Sequence, residues 1–154
     1  EVVLHGCDAS ERALAEARRV VGGGERSLSF FRLDALRDPL PAGYDLVCCS
    51  LFLHHLETDE AAALLGRMAQ ATAGRLLVQD LRRSPLGYAL ARAALPLLTT
   101  SDVARSDGPA SVRAAFTVEE ARALCRAAGL AEARVEPSWP ERFTIRWQRP
   151  GARS

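Results

Sequence analysis

The segment YDLVCCS, Tyr44 to Ser50, is an almost unbroken apolar run that stops at a serine. A strand with one wet face alternates apolar and polar residues, so this run predicts a strand covered on both faces, the habit of parallel sheets. Parallel neighbours require crossovers long enough to hold a helix. The flanking sequence supplies them. Upstream, Val2 to Leu4 reads as a strand reaching Gly6. Ser10 then caps a helix whose Ala13, Leu14, Ala17 and Val21 fall on one face, and Gly22, Gly23 and Gly24 stop it. Leu28 to Leu33 is a second strand, and the turn from Pro39 to Gly43 keeps it from running on.

Downstream, Thr58 is the expected N-cap of a helix with Asp59 and Glu60 in its first turn. Ala61, Leu64, Leu65 and Met68 form its buried face, and Gly74 closes it. Arg75 to Leu81 is the next strand. Ser84-Pro85 interrupts, an apolar helix covers Leu86 to Leu98, and the polar stretch TTSDVARSDGPASVR reads as a loop. Thr117 and Glu120 form a capping box for a helix that ends at Gly129. Two strand-like pieces, Ala131 to Glu136 and Arg142 to Gln148, have no helix between them and should pair antiparallel at the sheet edge. The expected fold is α/β: a doubly wound, Rossmann-like, mostly parallel sheet with an antiparallel C-terminal edge strand.

A chain of 154 residues is the size of one folding unit. Its 20 basic residues, all arginines, balance 19 acids, so no broad electrostatic footprint for nucleic acid is expected. Cys7, Cys48, Cys49 and Cys125 lack CxxC spacing, and Cys48 and Cys49 would point to opposite faces of one strand. They read as reduced packing residues of a cytoplasmic protein rather than metal ligands. The apolar stretches fall short of a membrane span.

In an open parallel sheet, ligands sit beyond the carboxyl ends of the strands. Asp8, Asp34, Ser50 and Asp80 stand at such ends. A carboxylate placed like Asp8 can accept from both hydroxyls of a ribose, the alternative being a helix-entry aspartate. Asp34-Ala35 can offer a carboxylate and a main-chain N–H to an adenine edge, or serve as turn residues. In order, GCDAS, FFRLDA, YDLVCCSLFLHHL, GRLLVQDLRR, FTVEEARALCRAAGL and two closing strands resemble a class I S-adenosylmethionine-dependent methyltransferase from its second strand onward. LHHL, DLRRSP and SDGPASVRAAF are similar to small-molecule enzymes of the ubiquinone-biosynthesis and secondary-metabolite type.

That resemblance implies S-adenosyl-L-methionine as cofactor. Asp8, with Ala9 beside it, would hold the ribose hydroxyls, Asp34 the adenine amino group and Ala35 a ring nitrogen through its backbone. Ser50 and Leu51 would line the methionine half through their carbonyls, with Phe52 closing over it. The family's first strand and glycine-rich loop have no counterpart in these residues, so the chain is expected to be a partial record of a methyltransferase domain, over 1–150. Residues 84–115 would form a helix-and-loop insertion covering the substrate site.

Methyl transfer to a hydroxyl needs a proton acceptor near neutral pH, which suits histidine. His54 is the first candidate and His55 the second, the alternative being packing beneath the next helix and capping of it. Arg82, Arg83 and Arg113 would bind an acceptor carboxylate or phosphate, or else Arg82 and Arg83 would pair with Asp80 or Asp102. Tyr88 and the apolar helix after it would form a wall for an aromatic, polyketide or isoprenoid-like acceptor, or serve as core or as a homodimer contact. SLFLHH lacks the Asn/Asp-Pro-Pro-aromatic pattern that resembles an amino-group methylation site, which favours oxygen or carbon acceptors. Two rivals stand beside this reading. An NAD-dependent oxidoreductase would need a Tyr-xxx-Lys pair, and the chain has no lysine. A non-catalytic, methyltransferase-like partner module would need no glycine-rich loop.

Overall fold

A computed structural model describes residues 2–22, 27–98 and 102–152. The chain forms two compact units rather than the single one expected, the first running to Leu40 and the second starting at Pro41. The physical reason lies in the strand pairing, which gives two separate sheets.

The first unit is a βαβ element: β1 (Leu4–Asp8), α1 (Glu11–Val21) and β2 (Leu28–Arg32). β1 and β2 pair in parallel, Leu4 opposite Leu28 and Asp8 opposite Arg32. β1 therefore runs through Gly6 instead of ending near it. Glycine suits that position because the Phe30 ring lies 2.7 Å from where a Cβ would sit. Ser10 caps α1 as expected, its hydroxyl accepting from the Ala13 N–H, and Gly22 ends the helix at φ 71°. Gly23 and Gly24 lie outside the described residues. Of the expected apolar face only Leu14 is buried, and Val21 is exposed. A two-stranded sheet is too narrow to cover a whole helix face.

The second unit contains β3 (Tyr44–Ser50), a 3-10 turn (Leu53–His55), α2 (Thr58–Ala71), β4 (Thr72–Leu81), α3 (Pro85–Leu98), α4 (Asp102–Ala114), α5 (Val118–Ala127), β5 (Arg134–Ser138) and β6 (Arg142–Gln148). Its sheet has the order β3-β4-β6-β5, with β3 parallel to β4 and β6 antiparallel to both neighbours. The antiparallel C-terminal edge thus forms as expected. The core joins Leu64, Leu65 and Met68 of α2 to Ala121, Leu124 and Cys125 of α5 over Leu76 and Val78 of β4 and Phe143 and Ile145 of β6. Each buried leucine contributes roughly 2 kcal/mol. Burial raises the Cys125 thiol to about 11, which keeps it protonated and inert, as a packing residue should be.

Four expectations for this unit are corrected. β3 is not covered on both faces: Leu46 and Cys48 are exposed, as is Leu77 opposite Cys48. α2 packs against β3 and β4, and α5 against α2 and β5, where Leu76, Val78 and Val135 are buried. Glu57, not Thr58, is the N-cap of α2, because it forms a reciprocal capping box with Glu60. Gly74 does not close that helix. The chain passes from α2 into β4 at Thr72, and Gly74 lies within the strand, where a Cβ would come 2.3 Å from the Asp45 carbonyl oxygen. The stretch taken for a loop holds α4 over 102–114, with Pro109 inside it, a position that costs one helical hydrogen bond without ending the helix. Its Thr99, Thr100 and Ser101 lie outside the described residues.

Candidate active site

Alternation along β4 puts Leu76, Val78 and Asp80 on the face beneath the helices, so its register drives a carboxylate into the interior. Asp80 is 1% exposed. An unpaired carboxylate there would cost several kcal/mol. Four donors offset that cost. The Phe52 and Leu53 N–H groups donate to its Oδ2 at 2.8 and 2.7 Å. The Leu81 N–H donates to Oδ1 at 2.7 Å, and His54 Nδ1 stands 2.6 Å from the same oxygen. Three of the four come from the bend after β3, so that bend is built around a side chain 26 to 28 residues away. Leu51, at φ 55°, makes the turn that aims those N–H groups inward, an uncommon conformation for a side chain other than glycine.

The same geometry orients the imidazole. An acceptor-only carboxylate requires Nδ1 to carry its hydrogen and donate it, and in that tautomer Nε2 is left as an acceptor. His54 is itself buried, and the exposed His55 ring lies against it, centroids 4.0 Å apart. Both histidines line a cavity of about 500 Å³ together with Arg83, Arg113, Phe116 and Glu120.

The three candidate arginines have different fates. Arg82 is not on the cavity wall; its Nη2 donates to both oxygens of Glu141 at 2.8 and 2.9 Å, and the Ser84 hydroxyl donates to that carboxylate as well. These bonds, Arg82 first, hold the Glu141 carboxyl below the usual range. Arg83 lines the cavity but pairs with Glu120. The Thr117 N–H of the capping box, and then Arg83, hold Glu120 below the usual range against the opposing effect of burial. Among the described side chains the partners are therefore Glu141 and Glu120 and not Asp80, while the Asp102 side chain lies outside them. Arg113 also lines the cavity and has no carboxylate partner among the described residues. Its guanidinium lies over the ring of Tyr88, 5.8 Å from the centroid, while Tyr88 itself is not on the wall.

In the first unit the candidate cofactor residues gather at one end. Asp8 is exposed, and its Oδ1 accepts from the Ser10 N–H at 2.7 Å, as a helix-entry aspartate would. Its second oxygen has no bond among the described residues. The Asp8 carbonyl accepts from the Leu33 N–H at 3.1 Å, tying the two strand ends together. Asp34 accepts from the Leu36 N–H at 3.0 Å and stands 3.6 Å from Arg37 Nε, with Ala35 half-buried beside it. Ala9, Arg32, Asp34 and Arg37 line a cleft of about 400 Å³. Ser50, Leu51 and Phe52 belong to the second unit, at the end of β3.

Sequence reasoning placed Asp80 at a strand end and gave it no role beyond pairing with Arg82 or Arg83. The signal was present as period two in LLVQD, which puts the aspartate on the face of Leu76 and Val78. Nothing comparable marked Glu120 and Glu141 as partners of the arginines.

Residues 1–74 match the methyltransferase domain family. No curated protein matches the chain. Among solved structures, a protein from Bordetella parapertussis described as a possible exported protein is 21% identical, with a TM-score of 0.69 over 97% of this chain and 54% of its own. Magnesium protoporphyrin IX methyltransferase from Synechocystis PCC 6803, with bound S-adenosylhomocysteine, is 20% identical, with a TM-score of 0.62 over 96% of this chain and 64% of its own. An O-methyltransferase family 2 protein from Planctomyces limnophilus, in complex with apigenin, is 18% identical, with a TM-score of 0.61 over 96% of this chain and 42% of its own. The chain thus spans roughly half the length of the structures it resembles.

Proposed function

Starting from a chain that has the fold of class I methyltransferases and matches the methyltransferase domain family over residues 1–74, we propose that it transfers the methyl group of S-adenosylmethionine to an oxygen or carbon of a small acceptor. The observation that carries this reading is the His54–Asp80 pair, 2.6 Å apart and buried at the end of two parallel strands beside a cavity. A hydroxyl presented to Nε2 of His54 would give up its proton there, and Asp80 would stabilise the imidazolium that forms. His55, exposed on the same wall, is the second candidate.

The residues for the cofactor fit it in kind. The unbonded oxygen of Asp8 suits a ribose hydroxyl, and the cleft of Ala9 and Asp34 is open to a flat base edge. Bound S-adenosylmethionine would supply a methyl group already activated by the sulfonium charge. The protein's share would then be alignment and exclusion of water. The finding that a relative was crystallised with S-adenosylhomocysteine supports the assignment. Among the described residues no helix is long and apolar enough to cross a membrane. An aromatic or polyketide-like acceptor suits the Phe116 wall.

The test is calorimetric titration of S-adenosylhomocysteine into the wild-type chain and into Asp8→Ala. Saturable binding, weakened about tenfold or more by loss of a charge-assisted hydrogen bond, is expected. A wild-type chain that binds none of it sinks the reading.

A further inference from the structure

The cavity beside His54 carries more information than the position of a base. Four charged side chains line it: Arg83, Arg113, Glu57 and Glu120. Glu120 is bonded by Arg83 and by the Thr117 N–H, and Glu57 is engaged in the capping box of α2. Arg82, the other candidate cation, is occupied by Glu141 outside the cavity. That leaves the Arg113 guanidinium, set over the Tyr88 ring, as the one wall cation without a carboxylate among the described residues. α4, which bears it, packs against the 3-10 turn that bears the two histidines. Phe116 and Leu124 supply an apolar surface on the same cavity.

We propose that the acceptor is a monocarboxylic acid bearing an ionisable hydroxyl, with Arg113 holding the carboxylate and His54 facing the hydroxyl. The inference rests on the methyltransferase reading and narrows its substrate. A planar guanidinium fork matches the two oxygens of a carboxylate. A doubly charged phosphate fits less well, because Glu57 and Glu120 share the wall with a single uncommitted arginine. With a neutral acceptor the Tyr88 ring would remain the partner of the Arg113 guanidinium, and its donors would go to water.

The experiment titrates 4-hydroxybenzoate and its methyl ester separately into the full wild-type chain, Arg113→Gln and Arg113→Lys, with S-adenosylhomocysteine binding measured on each protein. The acid should bind the wild type about tenfold more tightly than the ester, the difference made by one hydrogen-bonded charge pair. Arg113→Gln should abolish that preference and Arg113→Lys, which keeps charge but loses the fork, should restore part of it. S-adenosylhomocysteine should bind all three proteins alike. Equal binding of acid and ester, or no saturable binding of the acid at millimolar concentration, overturns the proposal if S-adenosylhomocysteine still binds. Failure of S-adenosylhomocysteine to bind the wild type removes the underlying reading instead.

Discussion

Asp8 and Asp80 occupy equivalent places, each at the carboxyl end of a parallel strand, yet the two units use them in opposite ways. Asp8 is exposed, and among the described residues its carboxylate accepts one hydrogen bond, from two residues along its own turn. Asp80 is buried, and three of its four hydrogen bonds reach a segment more than 25 residues away. The first carboxylate can still offer an oxygen to a ligand. The second has spent its acceptors on the protein. A strand-end aspartate therefore divides into two kinds, one with an acceptor left open and one that anchors the protein, and burial together with partner distance tells them apart.

The largest effect should come from removing the anchor. Asp80→Ala leaves three main-chain N–H groups and the His54 ring without their acceptor, and breaking a buried charged network of this sort costs about 3 to 5 kcal/mol. Chemical denaturation would read it as a large fall in the unfolding midpoint. Asp80→Asn separates positioning from packing, since it keeps the shape while losing the charge. Nitrogen NMR of His54 should show Nδ1–H in the wild type and a changed tautomer balance in Asp80→Asn. An unchanged His54 signal would mean that the carboxylate does not orient the ring.

The next effect tests packing where the start of β3 pairs with β4. Gly74→Ala would place a Cβ 2.3 Å from the Asp45 carbonyl oxygen, so the two strands must separate or bend. Overpacking of this kind typically costs 1 to 3 kcal/mol. Thermal melts should show it as a lowered midpoint. A neutral Gly74→Ala would show that the strands yield easily there.

These two positions also mark what the sequence made legible. Period two and apolar runs located β3 and β6 to the residue, and capping chemistry located the start of α5, because such signals are local and physical. Gly74 was misplaced because a glycine after a helical face ordinarily signals a helix end, whereas here it permits a close approach between strands distant in sequence. α4 was missed because Ser, Asp, Gly and Pro favour turns locally, and only packing against α3 and the 3-10 turn makes the segment a helix. The exposed face of β3 was missed because an apolar run states what a strand could bury but not whether anything lies against it. His54, His55, Arg83 and Arg113 were found as residues and meet on one cavity. The allocation of each arginine to its glutamate depended on tertiary distance.

In exposure Glu141 stands between the two aspartates, half-buried and bonded to Arg82, and its coupling to folding is read through pH. Its carboxyl is held below the usual range by Arg82 and then Ser84, so its folded value lies below its unfolded one, about 4.3. A carboxyl depressed in this direction contributes stability that is fully present above the unfolded value. That stability is lost as pH falls through the folded value. Glu141→Gln should lower stability at neutral pH and flatten its decline on acidification below about pH 5. Parallel denaturation curves for wild type and Glu141→Gln across that range would show that the pair does not couple to folding.

The smallest stability change should come from Asp8→Ala, and its smallness is the point. Removing a single exposed helix-entry bond to Ser10 costs about 1 kcal/mol or less, since Ser10 still caps α1 through its own hydroxyl. Binding of S-adenosylhomocysteine should fall about tenfold or more in the same variant. A group whose loss leaves folding nearly intact while removing a ligand is ligand-facing, and one with the reverse pattern is an anchor. Should Asp8→Ala prove as destabilising as Asp80→Ala while binding is unchanged, the distinction between the two strand ends collapses and Asp8 becomes a structural residue like its counterpart.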